Sequence, residues 1–226
     1  AVVEVIDDLG GLDLNITQGE MNQINKYKKD VDGVTGKNTP NVTQYGLVHL
    51  DGTQATTYAR IRKLSGDDFK RASRQRIVLQ AMLEKAKKAN PATLVKICNS
   101  MVDDISTTLS LDQMVSLAKD VTKYKISSTT GFPTDLTTKN MPRCGDTVIP
   151  ADLVTNVKKL HEYMFDDAAY TPSQTVQAIS ETIVNTTGIT ADSAKINTSD
   201  YNETVGATGT DEIQKGSETT GGTNVQ

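Results

Sequence analysis

Apolar positions along the chain fall into short runs whose spacing changes from segment to segment. Two runs, "AVVEVIDDL" and "LDLNI", flank Gly10-Gly11 and predict a strand, a turn and a second strand. "TQGE", Thr17 to Glu20, has the form of a capping box, so a short helix through Met21, Ile24 and Tyr27 is expected after it. Residues 28–43 are polar, carry Gly and Pro, and read as a loop. In "LVHLDGTQATTYARIR", Asp51 is placed to cap a short helix that runs on into an extended segment. Helical periodicity is strongest in "DDFKRASRQRIVLQAMLEKAKKAN". There Asp67 or Asp68 serves as cap, Ile77 and Ala81 lie on an apolar stripe, lysines load the last turn, and Asn90-Pro91 ends the helix. "TLVKICNSMVDDIST" and "SLDQMVSLAKDV" predict two more helices, the second opened by Ser110 with Gln113 three residues on. "KYKISSTTGFP" reads as a strand, and "PADLVTNVKKLHEYMF" and "PSQTVQAISETIVN" as helices with Pro at or near the first turn. No internal repeat is present.

Composition divides the chain. From about Thr190 onward Thr, Gly, Ser and Asp dominate, and 190–226 is expected to be a flexible tail behind a folded portion at 1–189. Apolar content is only 36% and aromatics are scarce, with no Trp and three Phe, which suggests that part of the chain does not fold. No apolar run approaches the ~18 residues of a membrane helix. "AVVEVIDDLGG" lacks the basic start and cleavage site of a signal peptide, so any anchor or export signal is expected outside this sequence.

Charge is also uneven. The chain is acidic, with net charge −4, yet "YARIRKLSGDDFKRASRQR" at 58–76 holds seven basic residues. In an extended segment Arg60 and Arg62 point to the same side. On the helix that follows, Asp68, Arg71 and Gln75 share a face, with Arg74 beside it. The Gly66-Asp67-Asp68 turn folds the two pieces together into a predicted concave site of guanidiniums, an amide and a carboxylate. Forked guanidinium donors next to a helix N-terminus suit a pyrophosphate. The same pattern also fits a solvated charged face. Nucleic acid binding is the weaker reading, because the chain is acidic and only Tyr58 and Phe69 are on hand for stacking.

Cys98 and Cys144 lie in no CxxC and have no His at ligand spacing, which argues against zinc. They could form a disulfide or be two unrelated buried thiols, and spacing alone does not decide. His161 in "KKLHEYMF" and His49 before Leu50-Asp51-Gly52 read as structural histidines. Met82, Met101, Met114 and Met164 occupy apolar helical positions and read as core.

"HLDGTQATTYARIRKLSGDDFKRASRQRIVL" resembles the signature of the LytR-CpsA-Psr family, roughly L-D-G-x-Q-A-L-x-Y-x-R-x-R, a short turn, D-F-x-R and R-Q. Leu50, Asp51, Gly52, Gln54, Ala55, Tyr58, Arg60, Arg62, Asp68, Phe69, Arg71, Arg74 and Gln75 match, and Thr56 replaces the usual Leu. "DDLGGLDLNI" and "LHEYMFDDAAYTPSQTVQAIS" are weaker echoes, so the resemblance spans roughly residues 2–187. It implies an α/β fold: an α/β/α sandwich around a mixed central sheet, with the family's N-terminal strands missing here. It implies a membrane-anchored, extracytoplasmic phosphotransferase of the cell envelope. Such an enzyme moves a glycopolymer, such as wall teichoic acid or capsule, from a polyprenyl-pyrophosphate carrier to peptidoglycan. The alternative is a non-catalytic polyprenyl-pyrophosphate binder or envelope regulatory domain. The family's older label of transcriptional attenuator is read as indirect, since an extracytoplasmic domain meets no DNA.

Position by position, the resemblance implies that Arg60, Arg62, Arg71 and Gln75 contact the pyrophosphate. It implies that Asp68 orients an arginine or helps arrange the metal, and that Arg74 adds a cation or forms a structural salt bridge. Mg²⁺ is implied as cofactor. Its acidic ligands belong to a segment, with an S-x-P-R-D-type element, that has no match here. The chain is therefore expected to be the C-terminal part of a longer domain, partnered by its N-terminal half, and the general base is not assigned. An extracytoplasmic location favours pairing Cys98 with Cys144.

Overall fold

A computed structural model describes residues 1–62, 67–101 and 106–201, with all their side chains except those of 67, 68 and 201. It contains two compact units, Ala1–Lys123 and Tyr124–Glu203.

The first unit opens with helix α1 (Val2–Asp8), where a strand is expected from its β-branched residues. Val3 and Ile6, three apart, both bury on one helical face, and that packing overrides the local preference. Gly10 and Gly11, at φ 80° and 79°, turn the chain into β1 (Leu12–Ile16). The Thr17–Glu20 capping box forms as expected and starts α2 (Gln18–Thr35). This helix runs through much of the expected loop before Gly36, at φ 71°, ends it. The chain then lies back on α2. Asn25 exchanges two hydrogen bonds of 2.8 Å with the backbone of Val42. Lys28 donates to the Thr39 carbonyl, and Thr39 donates from its amide (3.2 Å) and hydroxyl (2.6 Å) to Asp32.

Strand β2 (Gly46–Leu50) pairs antiparallel with β1 and sets Asp13 opposite His49. Asp51 and Gln54 then form the second capping box and open α3 (Gly52–Arg60). Two further contacts fix where α3 begins. The Gly52 amide donates to Asp7 on α1 at 2.7 Å, and Gln54 donates to the Pro40 carbonyl at 3.0 Å. A Cβ on Gly52 would sit 2.1 Å from the Val3 carbonyl oxygen, so only glycine admits this approach. Helix α4 (Asp67–Lys88) lays Ile77, Val78 and Ala81 into the core with Ile6, Leu12, Leu14, Ile24, Leu50 and Tyr58, and Met82 packs against it. Helices α5 (Pro91–Met101) and α6 (Leu111–Lys119) follow, the latter with the expected Ser110–Gln113 box.

In the second unit, residues 124–134 do not form the expected strand. Tyr124 and Ile126 are exposed, so no face is available to bury. The hairpin of β3 (Asp135–Met141) and β4 (Gly145–Pro150) carries the sheet instead. Helices α7 (Leu153–Phe165) and α8 (Gln174–Thr187) follow. Asn156, fully buried, receives the Asp135 amide on its Oδ1 and donates back to the Asp135 carbonyl, which locks α7 to β3. Strand β5 (Ile196–Asn197) pairs with β3, and Thr198 is buried. This pairing lies beyond the boundary expected near 190. Residues 202–226 lie outside the described residues.

The fold is α/β, and every strand pairing among the described residues is antiparallel. Cys98 is half-buried on α5 of the first unit, and Cys144 is exposed in the β3–β4 turn of the second. Met164 is 58% exposed at the end of α7, unlike the core methionine expected there.

Candidate anion-binding cleft

Two guanidiniums meet at the end of α3. Arg60 is its last residue, and Ile61 leaves the helix at φ −59°, ψ 127°. Buried Ile61 anchors the chain between two exposed arginines, Arg60 and Arg62. Both line a cleft of about 150 Å³ with Thr57, and with Tyr27, Asp30 and Val31 of α2. The two arginines thus line one cleft from either side of a buried anchor at the helix end.

The other basic residues divide by depth. Arg74 points inward: its Nε donates to Glu20 Oε1 at 2.7 Å, both side chains are 6% exposed, and its Nη1 reaches the Ile61 carbonyl at 3.4 Å. Of the two roles open to Arg74, the structure gives the salt bridge. Glu20 receives the Thr17 amide on its second oxygen, so one carboxylate closes the α2 cap and fixes Arg74 and Ile61. Arg71 is half-buried and Gln75 exposed on α4, and neither lines this cleft. The Asp68 side chain lies outside the described residues.

Hydrogen bonds from Thr39, aided by Lys28 and Lys37, hold the Asp32 carboxyl below its ordinary value despite its burial. This ionised group, two residues beyond Asp30, keeps the 36–45 segment on α2. Among the described residues no three metal-ligating side chains gather. His161 stacks on Tyr170, with ring centroids 3.3 Å apart, His49 bonds Asp13 at 2.8 Å, and neither histidine lines the cleft.

The LytR_cpsA_psr family model matches residues 1–142. The chain belongs to the LytR_cpsA_psr family. The match holds both arginines, the cleft and the Glu20–Arg74 pair. Among curated proteins the chain is 27% identical over 176 residues to the polyisoprenyl-teichoic acid–peptidoglycan teichoic acid transferase TagV of Bacillus subtilis (strain 168). That alignment covers 75% of this chain and 41% of TagV. It is 31% identical over 105 residues to the corresponding transferase TagU of Bacillus mycoides (strain KBAB4), covering 42% of this chain and 34% of TagU. The chain therefore spans less than half the length of these curated relatives. Among solved structures, B. subtilis TagV superposes with TM-score 0.49 at 21% identity, covering 76% of this chain and 61% of that one. B. subtilis TagT gives 0.42 at 23%, covering 83% and 58%.

Sequence reasoning did not single out Tyr27, Asp30 or Glu20 for the site. The capping box made Glu20 visible as a helix start. The oxygen that takes Arg74, 54 residues away in the chain, left no local signal.

Proposed function

We propose that this chain carries part of the pyrophosphate-binding site of a phosphotransferase that moves a glycopolymer from a polyprenyl-pyrophosphate carrier to peptidoglycan. The observation that carries this reading is the cleft shared by Arg60 and Arg62. Family membership and the teichoic acid transferase names of its relatives supply the substrate class. In this reading an acceptor sugar hydroxyl attacks phosphorus, a P–O bond forms, and the bond to the lipid phosphate breaks. Charge grows on the phosphoryl oxygens, where fixed guanidiniums stabilise it electrostatically. Arg60 and Arg62 bind those oxygens, Arg71 and Gln75 extend the site from α4, and Asp68 orients an arginine. Mg²⁺ would neutralise further charge on the diphosphate. No step here runs through it, and no cluster of three metal-ligating side chains is found among the described residues. The reading also puts the protein on the outer side of the membrane in a Gram-positive envelope. No helix among the described residues is long and apolar enough to cross a membrane.

The test is release of polyprenyl phosphate from a lipid-linked glycopolymer in the presence of peptidoglycan. Release by the wild type, with loss of about 100-fold or more in Arg62→Ala, is expected from removing one charge-stabilising donor. Binding of the lipid without release would favour a non-catalytic binder.

A further inference from the structure

Phosphoryl transfer to a sugar hydroxyl needs a group to take the hydroxyl proton, and the cleft offers one. We infer that Asp30 is the general base of the transfer, an inference that rests on the function proposed above. Asp30 stands one turn beyond Tyr27 on α2, and both line the cleft facing Thr57, Arg60 and Arg62. It is exposed, and no hydrogen bond or ion pair engages it among the described residues. Of the described lining side chains it is the sole carboxylate. The Thr57 hydroxyl is already committed to the Thr53 carbonyl at 2.7 Å, and Val31 and Ile61 have no proton-accepting group. Two described carboxylates of α2 are occupied elsewhere. Asp32 holds Thr39, and Glu20 holds Arg74 and the Thr17 amide.

A carboxylate beside two guanidiniums has a defined place in the reaction. The arginines hold the phosphoryl oxygens while Asp30, on the opposite wall, meets the incoming hydroxyl. The hydroxyl oxygen forms the new bond to phosphorus and its proton passes to an Asp30 oxygen. The bond from phosphorus to the bridging oxygen breaks, and polyprenyl phosphate departs with that electron pair. The proton then leaves Asp30 to solvent at the open mouth. The charged and titratable groups facing Asp30 are Arg60 and Arg62 across the cleft and Tyr27 on its own helix.

The test compares wild type, Asp30→Asn and Asp30→Glu of the intact protein in two assays: binding of a polyprenyl pyrophosphate, and release of polyprenyl phosphate from a lipid-linked glycopolymer across pH. A general base contributes about 100- to 10,000-fold. Asp30→Asn is expected to bind as tightly as wild type or tighter, since a negative charge leaves an anion site. Its turnover should fall by that factor, the acid-side fall of the wild-type rate profile should vanish, and Asp30→Glu should recover part of the rate. Turnover by Asp30→Asn within a few-fold of wild type, or binding lost in parallel with turnover, would overturn the assignment and leave the proposed function standing. Absence of turnover in the wild type would overturn both.

Discussion

Glu20 and Arg74 show how a single buried pair fixes a surface site. One Glu20 oxygen caps α2 and the other takes Arg74 Nε, while Arg74 reaches the carbonyl of Ile61, the residue between the two cleft arginines. A buried charge stripped of its partner is costly, about 3–5 kcal/mol. Glu20→Ala is therefore expected to lower the unfolding free energy by that order in urea titration. Replacing both residues with apolar side chains of similar volume should cost much less. A loss under 1 kcal/mol for Glu20→Ala would show that the pair does not support the fold. Asp32 gives a prediction with a sign. Its carboxyl is lowered in the folded state, first by the Thr39 hydroxyl. Its stabilisation is therefore fully present above the ordinary carboxyl value of 3.8 and is lost as pH falls through its own lower value. Thr39→Val should weaken the protein at neutral pH, and the difference from wild type should shrink toward pH 2. An undiminished difference at low pH would contradict this.

At the scale of elements, local signals were legible and distant ones were not. The boxes at Thr17–Glu20, Asp51–Gln54 and Ser110–Gln113 each join residues three apart, so the chemistry of the helix start is written side by side. Helix α1 was hidden because Val and Ile favour strands unless a partner buries a helical face. The length of α2 was hidden because what holds its C-terminal half is the returning 36–45 segment, through Asn25, Lys28 and Asp32. This error matters for function. Reading 28–43 as a loop removed Asp30 from the helix that forms one wall of the cleft. The other wall depends on where α3 starts and stops. Asp51→Ala removes the cap at its start and is expected to cost about 1 kcal/mol, measurable as a shift in denaturation midpoint. Asp51→Asn, which keeps a capping oxygen, should restore most of it.

At the scale of the molecule, the family match at 1–142 contains the whole first unit, and with it every residue of the cleft. The arginine signature was legible because seven positive charges in an acidic chain need a reason, and the L-D-G-x-Q-A and R-Q elements around them are long and specific. Depth was not legible: nothing in "FKRASRQR" distinguishes the half-buried Arg71 from the buried Arg74. Nor could the sequence place a two-residue strand, Ile196–Asn197, in a stretch whose composition looks unfolded.

The central claim is that Arg60 and Arg62 form a pyrophosphate site, and thermal unfolding with added polyprenyl pyrophosphate tests it most directly. A ligand that binds only the folded state stabilises it by about 2.7 kcal/mol at a hundredfold excess over Kd. The account predicts a concentration-dependent rise in melting temperature for the wild type. It predicts that the rise disappears in Arg60→Ala and Arg62→Ala, while the ligand-free melting temperatures of these exposed-site variants stay near that of the wild type. A rise of equal size in the wild type and both variants would contradict it.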